Sequence, residues 1–366
     1  MKRIVHSSIT FLRSRIKLVI LAVILLAAIE HFGLFLHLFE RDYSSFSYPL
    51  EIPIGETLET IRKGLKPPYQ PINVYNYSYK ITSLHKCRAL DNEYEKIVIL
   101  YVIKSAIPHL SRRDAIRKSW GWENRFSDVN IRRIFVLGLT TEFGMQEQID
   151  DEAIKNKDIV QAEFMDNYYN NTIKTMMAFK WVTQNCPKTQ FIAFADDDMY
   201  VSTKNLLKFV RNPFNRRVGF RRRRSVDYPL YQDPLLSAFD GRLFSGFLFD
   251  SSPMRHKSSK WFVSLAEYPF SRYPPYVTAG AFVLSYPALE DMYYASLFTK
   301  HFRFDDVYLG ILAKKCGITP LHNEHFHFWR KEYTKEGYRN VIASHGFGDP
   351  QELTAIYEEQ RSAGHA

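Results

Sequence analysis

Residues 191–198 read Phe-Ile-Ala-Phe-Ala-Asp-Asp-Asp, an apolar run that passes directly into three carboxylates. No other stretch constrains the fold as strongly. Apolar residues without polar alternation are the mark of a strand buried on both faces, and three adjacent acids cannot follow such a strand into a core without a counter-charge. The acids therefore belong at the carboxyl end of a central strand, where open α/β sheets gather ligands. An isolated acidic triplet is more often a solvated turn or a helix cap, but its position here favours the other reading. Because alternate residues of an extended chain point the same way, Asp196 and Asp198 are expected to share a hard divalent cation that bridges a diphosphate.

The surrounding text supplies the rest of such a sheet. Lys96–Ile103 and Ile134–Gly138 are further apolar, β-branched runs. Between and after them come helical patterns: Ser111–Asp114 as an N-cap region with Ala115, Ile116 and Trp120 on one face, a charged helix over 146–155, and Thr172–Gln184 with Ile173, Met176, Met177 and Trp181 as a core stripe. Strands alternating with helices predict an α/β fold with a largely parallel sheet. The glycines form neither GxGxxG nor GxxxxGK[ST], so dinucleotide and P-loop chemistry are not signalled.

Before residue 18 the chain holds Lys2, Arg3, Arg13, Arg15 and Lys17 and no acid, and then Leu18–Ile29 and Phe32–Phe39 are apolar. Together they approach the ~20 residues a helix needs to cross a bilayer. A cleaved signal peptide ending near Ala27-Ala28 is the alternative. Span length favours an anchor, and the basic leader, with Glu40 and Asp42 beyond the span, favours a cytoplasmic N-terminus. The expected organisation is a cytoplasmic tail (1–17), a transmembrane signal-anchor (18–39), a Tyr/Pro/Ser-rich luminal stem (40–92) and a luminal catalytic domain (93–366), with a substrate-binding subdomain as the alternative to the stem. Asn76 and Asn170 open glycosylation sequons. Cys87, Cys186 and Cys316 permit one internal bridge at most, with the pair left open.

Other groups carry candidate chemistry. Arg113 and Arg117 lie four apart, on one helical face near the end of the first strand, and guanidinium forks suit phosphate. Asp305-Asp306 opens an apolar helix; capping is the usual role of such acids, and a general base is the sharper one. Trp261, Tyr276 and Gly280 stand in aromatic text suited to a sugar pocket, although core packing explains most aromatics equally well. His345 is a candidate metal ligand, while His322, His325 and His327 fit no strong zinc spacing. The net charge is +10, to which the Arg221–Arg224 run contributes; a luminal chain meets no nucleic acid, so that run reads as a basic loop for acidic glycans or lipids, or a solvated one.

Seven ordered blocks, Arg113–Gly121, Phe135–Gly138, Phe164–Thr175, Asp196–Val201, Tyr273–Gly280, Asp305–Gly310 and Val341–His345, resemble the β-1,3-glycosyltransferases of glycosyltransferase family 31. The resemblance implies a GT-A fold, a UDP-sugar donor, Mn2+, inversion at the anomeric carbon and a Golgi membrane location. It implies Asp306 as catalytic base with Asp305 beside it, Asp198, Asp196 and His345 at the metal, and Arg113, Arg117, Asp166, Lys174, Asp196 and Asp197 at the nucleotide half of the donor. Galactose is the implied sugar, with N-acetylglucosamine and N-acetylgalactosamine as alternatives, and the acceptor is a glycan on protein or lipid. From the residues alone, a metal-dependent phosphohydrolase and a glycan-binding pseudoenzyme are the competing classes. Ala279-Gly280 and Asp305 depart from the commoner Ser-Gly or Gly-Gly and Glu of that family.

Overall fold

The computed structural model describes residues 2–89, 93–213 and 240–366, with side chains from residue 15 onward. The run Arg221–Arg224, with Arg216 and Arg217, lies outside the described residues. Two compact units are formed, one by 1–47 with 250–274 and a larger one by 48–249 with 275–366.

In the smaller unit, helix α1 spans Lys2–His31. Gly33 adopts a left-handed φ of 72°, the usual way a helix is stopped, and Leu36–Phe39 forms a separate 3-10 turn. The expected 18–39 span is therefore not one helix, and no helix among the described residues is long and apolar enough to cross a membrane. Leu18 to Leu26 nevertheless leave their apolar side chains exposed. Arg255 organises the rest of the unit, donating to Glu40 and to the carbonyls of Val263, Tyr268 and Phe270. Trp261 belongs to this unit and is half exposed, with Lys260 Nζ 4.4 Å from its ring centre.

The larger unit contains helix α2 (Ile54–Arg62), strand β1 (Tyr79–Ile81), β2 (Ile97–Lys104), α3 (Leu110–Lys118), β3 (Ile131–Leu139), α4 (Phe143–Asn156), β4 (Ile159–Met165), α5 (Asn171–Asn185) and β5 (Thr189–Asp196). After these come β6 (Tyr200–Val201), α6 (Thr203–Arg211), β7 (Phe244–Phe249), β8 (Tyr276–Ser285), α7 (Tyr286–Leu297), α8 (Asp305–Lys315), β9 (Leu321–His322), β10 (Phe326–His327), β11 (Ala343–Ser344) and α9 (Pro350–Ser362). The main sheet runs β1-β4-β3-β2-β5-β8-β7-β9. Strands β4, β3, β2 and β5 are mutually parallel, whereas β1 and β8 join them antiparallel. A small sheet, β10-β11-β6, follows the acid triplet.

Burial on both faces explains the unalternated text of β2: Ile99, Leu100, Tyr101, Val102 and Ile103 are all inaccessible to solvent. The tyrosine hydroxyl is satisfied by Thr203 at 3.0 Å, and its ring meets Trp120 edge-on. Met176, Met177 and Trp181 of α5 are fully buried, in line with the stripe read from sequence.

Much of the expected stem is part of the larger unit. Tyr48, Ile54, Leu58 and Tyr75 are buried, Lys315 Nζ donates to the carbonyls of Tyr48 and Leu50 at 2.6 and 2.7 Å, and β1 pairs with β4. These apolar anchors sit at irregular intervals among prolines and tyrosines, so periodicity does not reveal them. Cys87, near the end of this stretch, is bonded to Cys186, and Cys316 is free and buried. Of the two sequons, Asn76 is exposed, whereas Asn170 donates to the Met165 carbonyl at 2.8 Å and its Thr172 is wholly buried.

Candidate active site

The carboxyl ends of β2, β3, β4 and β5 open on a cleft of about 620 Å³. Its walls include Lys104, His109, Arg112, Asp166, Lys174 and all three acids of the triplet.

The triplet does not continue the strand. Asp196 is the last residue of β5 and the chain then turns, so its three side chains take three environments instead of alternating. Asp196 Oδ1 lies 3.2 Å from Lys104 Nζ, about a third of its side chain remaining exposed. Burial, with the neighbouring charges of Asp198 and Asp305, pushes its carboxyl up to about 6 against the pull of Lys104.

Asp197 turns inward. Its Oδ2 accepts from Ser105 Oγ (2.7 Å), the Ala106 N–H (3.2 Å) and His109 Nδ1 (2.8 Å), and its Oδ1 from Arg112 (3.0 Å). Burial alone would raise this carboxyl, but those bonds hold it below the usual carboxylate range. The consequence is that Asp197 presents His109 and Arg112 to the cleft.

Asp198 is the member free to bind. Its Oδ2 is 3.2 Å from Nε2 of His345, a hydrogen bond that pushes the imidazole above its ordinary range, while its buried Oδ1 finds no partner among the described residues. An orphaned carboxylate oxygen beside an imidazole is a donor pair that suits a divalent cation able to take its remaining ligands from a phosphate or water. No three metal-binding side chains converge among the described residues. Asp196, expected at the metal, instead directs an oxygen at Lys104.

Arg113 and Arg117 share a helical face as their spacing requires, but that face points into the protein. Arg113, with no exposed surface, grips Glu152 through Nε and Nη2 (2.9 and 2.7 Å) and donates to Ser105 Oγ and the Ala106 and Ile107 carbonyls. Arg117 binds Glu152 at 2.6 Å and Asp158 at 2.8 Å. Their assignment to a diphosphate is therefore corrected: buried acids on neighbouring elements use up both guanidiniums, and the adjacent Arg112 reaches the cleft. Asp166 and Lys174 do line the cleft, paired at 2.7 Å, with Lys174 also donating to the Ser105 carbonyl.

The second acid pair opens α8. Asp305 is buried and its Oδ2 accepts from Lys104 Nζ and from Thr175 Oγ1, each at 2.9 Å. Burial opposes the charge, but these partners hold the carboxyl below its ordinary range. Asp306, half-buried, accepts from the Val307 N–H at 2.8 Å. Burial first, and the fixed charge of Asp305 second, push its carboxyl up to about 7.

Tyr276 begins β8 and packs its Cβ against Gly310, one helical turn beyond Asp306; a methyl on Gly310 would meet that Cβ at 2.6 Å, so only glycine permits the approach. The Tyr276 ring stacks on Phe249, which with Phe247, Phe328 and Trp329 forms an aromatic wall missed by the sequence reading. Gly280 is not under such pressure, since a methyl there would touch only Met199, at 3.5 Å. His322 accepts from the Leu248 N–H at 3.2 Å and meets Phe247 edge-on, an ordinary structural role.

Lys104, Arg112 and His109 escaped the sequence reading. Lys104 ends an apolar strand and reads as its polar boundary; the signal available was its place at the carboxyl end of β2, parallel to the strand that ends in Asp196.

The carboxyl edge of the sheet thus gathers the acid triplet with Lys104, His109 and Arg112 around one cleft. The chain belongs to the galactosyltransferase family, whose profile matches residues 111–221 and 230–324. It is 42% identical over 351 residues to "Beta-1,3-galactosyltransferase brn" of Drosophila melanogaster, covering 95% of this chain and 96% of the relative. To "Beta-1,3-galactosyltransferase 1" of Homo sapiens it is 30% identical, covering 81% and 82% respectively, and to "Beta-1,3-galactosyltransferase bre-5" of Caenorhabditis elegans 35% identical, covering 73% and 76%.

Proposed function

We propose that the protein is an inverting, GT-A-type β-1,3-galactosyltransferase that moves galactose from UDP-galactose to the 3-hydroxyl of an acceptor sugar. The observation that supports this reading is the Lys104 bridge, which ties Asp196 of the acid triplet to Asp305, the residue before Asp306.

In this reading Asp306 takes the proton from the acceptor hydroxyl as that oxygen attacks C1 of the donor. A carboxyl near 7 is suited to that role, because a base works best when its pKa lies near the working pH. The C1–oxygen bond to UDP breaks as the new bond forms, and attack from the opposite face converts an α-linked donor into a β-linked product. Arg112, oriented by Asp197, offers its remaining N–H groups to the diphosphate. Asp166, Lys174, Asp196 and His109 line the nucleotide side. Asp198 and His345 would hold Mn2+, which when bound neutralises the charge of the departing diphosphate. Tyr276 and the aromatic wall offer faces to the acceptor ring, and Gly280 leaves room beside them.

Five basic residues in the first half of α1, ahead of its exposed apolar run, support a membrane anchor with the body in the Golgi lumen. Asn76 is the sequon whose exposure suits a glycan.

UDP release with UDP-galactose, UDP-N-acetylglucosamine and UDP-N-acetylgalactosamine, with and without β-linked acceptors, tests the proposal. Acceptor-dependent release from UDP-galactose is expected. Phosphate release from simple esters without acceptor would instead favour a hydrolase, and acceptor binding without turnover a pseudoenzyme.

A further inference from the structure

Lys104 is used neither as base nor as ligand in that mechanism, yet four elements converge on it. It closes β2 and is the register partner of Asp196 on the parallel strand β5. Its Nζ lies 3.2 Å from Asp196 Oδ1 and 2.9 Å from Asp305 Oδ2 at the start of α8, and Thr175 of α5 donates to that same Oδ2 at 2.9 Å. Only 5% of the side chain is exposed. A buried ion pair is a poor device for stability, because apolar residues of similar volume commonly serve as well or better. A directional one is a good device for position: two of the three N–H bonds of an ammonium, fixed by carboxylates on different elements, leave neither element free to turn.

We infer that Lys104 is a positioning residue for glycosyl transfer, its ammonium tying the acid that ends β5 to the acid that opens α8 and thereby holding the next residue, Asp306, in line with the donor cleft. The inference rests on the reading of Asp306 as base. It predicts that loss of the tie is felt far more in turnover than in donor binding: of the groups on the nucleotide side, His109, Arg112, Asp166 and Lys174 have their own supports, and only Asp196 leans on Lys104.

The experiment compares wild type, Lys104→Met, Lys104→Arg, Asp305→Asn and the Lys104→Met/Asp305→Asn double variant, measuring kcat, both KM values and the Kd for UDP with Mn2+. For Lys104→Met, kcat should fall on the order of 100-fold, the scale on which a small misplacement of a reacting group is felt, with the UDP Kd unchanged within about threefold. Lys104→Arg, which keeps a cation, should recover about a tenth or more of wild-type kcat. The double variant should be no worse than the poorer single one, because both break one tie. Should Lys104→Met not fold, Asp305→Asn breaks the tie from the other side and must show the same loss of kcat with UDP affinity retained. Unchanged kcat, losses that multiply in the double variant, or a loss confined to UDP affinity overturns the inference. An inactive wild type overturns the transferase reading with it, whereas an active wild type beside an indifferent Lys104→Met overturns this inference alone.

Discussion

Lys104 Nζ stands 2.9 Å from Asp305 Oδ2, and this pairing separates the roles of two adjacent acids. Asp305 is held charged by its partners, and its charge, added to burial, keeps the proton on Asp306 up to about 7. With Asp306 as the proposed base, transfer needs that proton gone. The kcat/KM for transfer should therefore rise with pH through about 7 and level off above it. A profile that is flat between pH 5.5 and 8.5 would be inconsistent with Asp306 as base.

Asp306→Asn should lower turnover by ~10²–10⁴. The same change carries a stability signature whose sign can be worked out. A carboxyl raised in the folded state binds its proton more tightly than in the unfolded chain, so stability falls as pH rises from the ordinary carboxylate range to about 7. The asparagine variant escapes that loss. Its melting temperature should exceed that of wild type at pH 8 and converge with it near pH 4, as thermal scans at both values will report.

Replacing His345 by Ala should raise the Mn2+ concentration needed for half-maximal activity by about tenfold or more, with chelation abolishing transfer by wild type. A manganese titration followed by UDP release measures this. An unchanged titration curve would remove His345 from the metal assignment.

Arginine neighbours should part company. Arg113→Met leaves Glu152 buried without its main partner, a change that typically costs ~3–5 kcal/mol of stability. Arg112→Ala, which leaves Asp197 its bonds from Ser105, Ala106 and His109, should cost much less stability than that and raise the KM for the donor. Melting curves and donor kinetics on the two variants distinguish them, and a stable Arg113→Met with weakened donor binding would restore the original diphosphate assignment.

Reduction of Cys87–Cys186 releases a cross-link between residues 99 apart. Chain entropy sets the effect at up to ~4.7 kcal/mol for a loop of that order. Denaturant titrations with and without reductant should show a lower midpoint on reduction, and coincident curves would count against a stabilising bridge.

Sequence and structure agree where one side chain's chemistry dictates its surroundings. The unalternated text of β2 and β5, the Met176-Met177-Trp181 stripe and the acids at a strand end all declare themselves, because burial on both faces leaves no polar residues to interrupt them. Pairing across the fold is not written locally. The spacing of Arg113 and Arg117 gives a shared face, but only the positions of Glu152 and Asp158 show that this face is interior. Lys104 reads as a polar stop until β5 is laid parallel to it. The anchors of 48–89 are likewise invisible, since each is an isolated apolar residue whose partner lies far along the chain.

The most direct test of the account is the linkage of the product made from UDP-galactose and a β-linked acceptor sugar in the presence of Mn2+, read by NMR. The account predicts galactose joined in β configuration to O3 of the acceptor, formed by wild type and lost in Asp306→Asn. An α linkage, attachment at another hydroxyl, or wild-type yield from Asp306→Asn would contradict it.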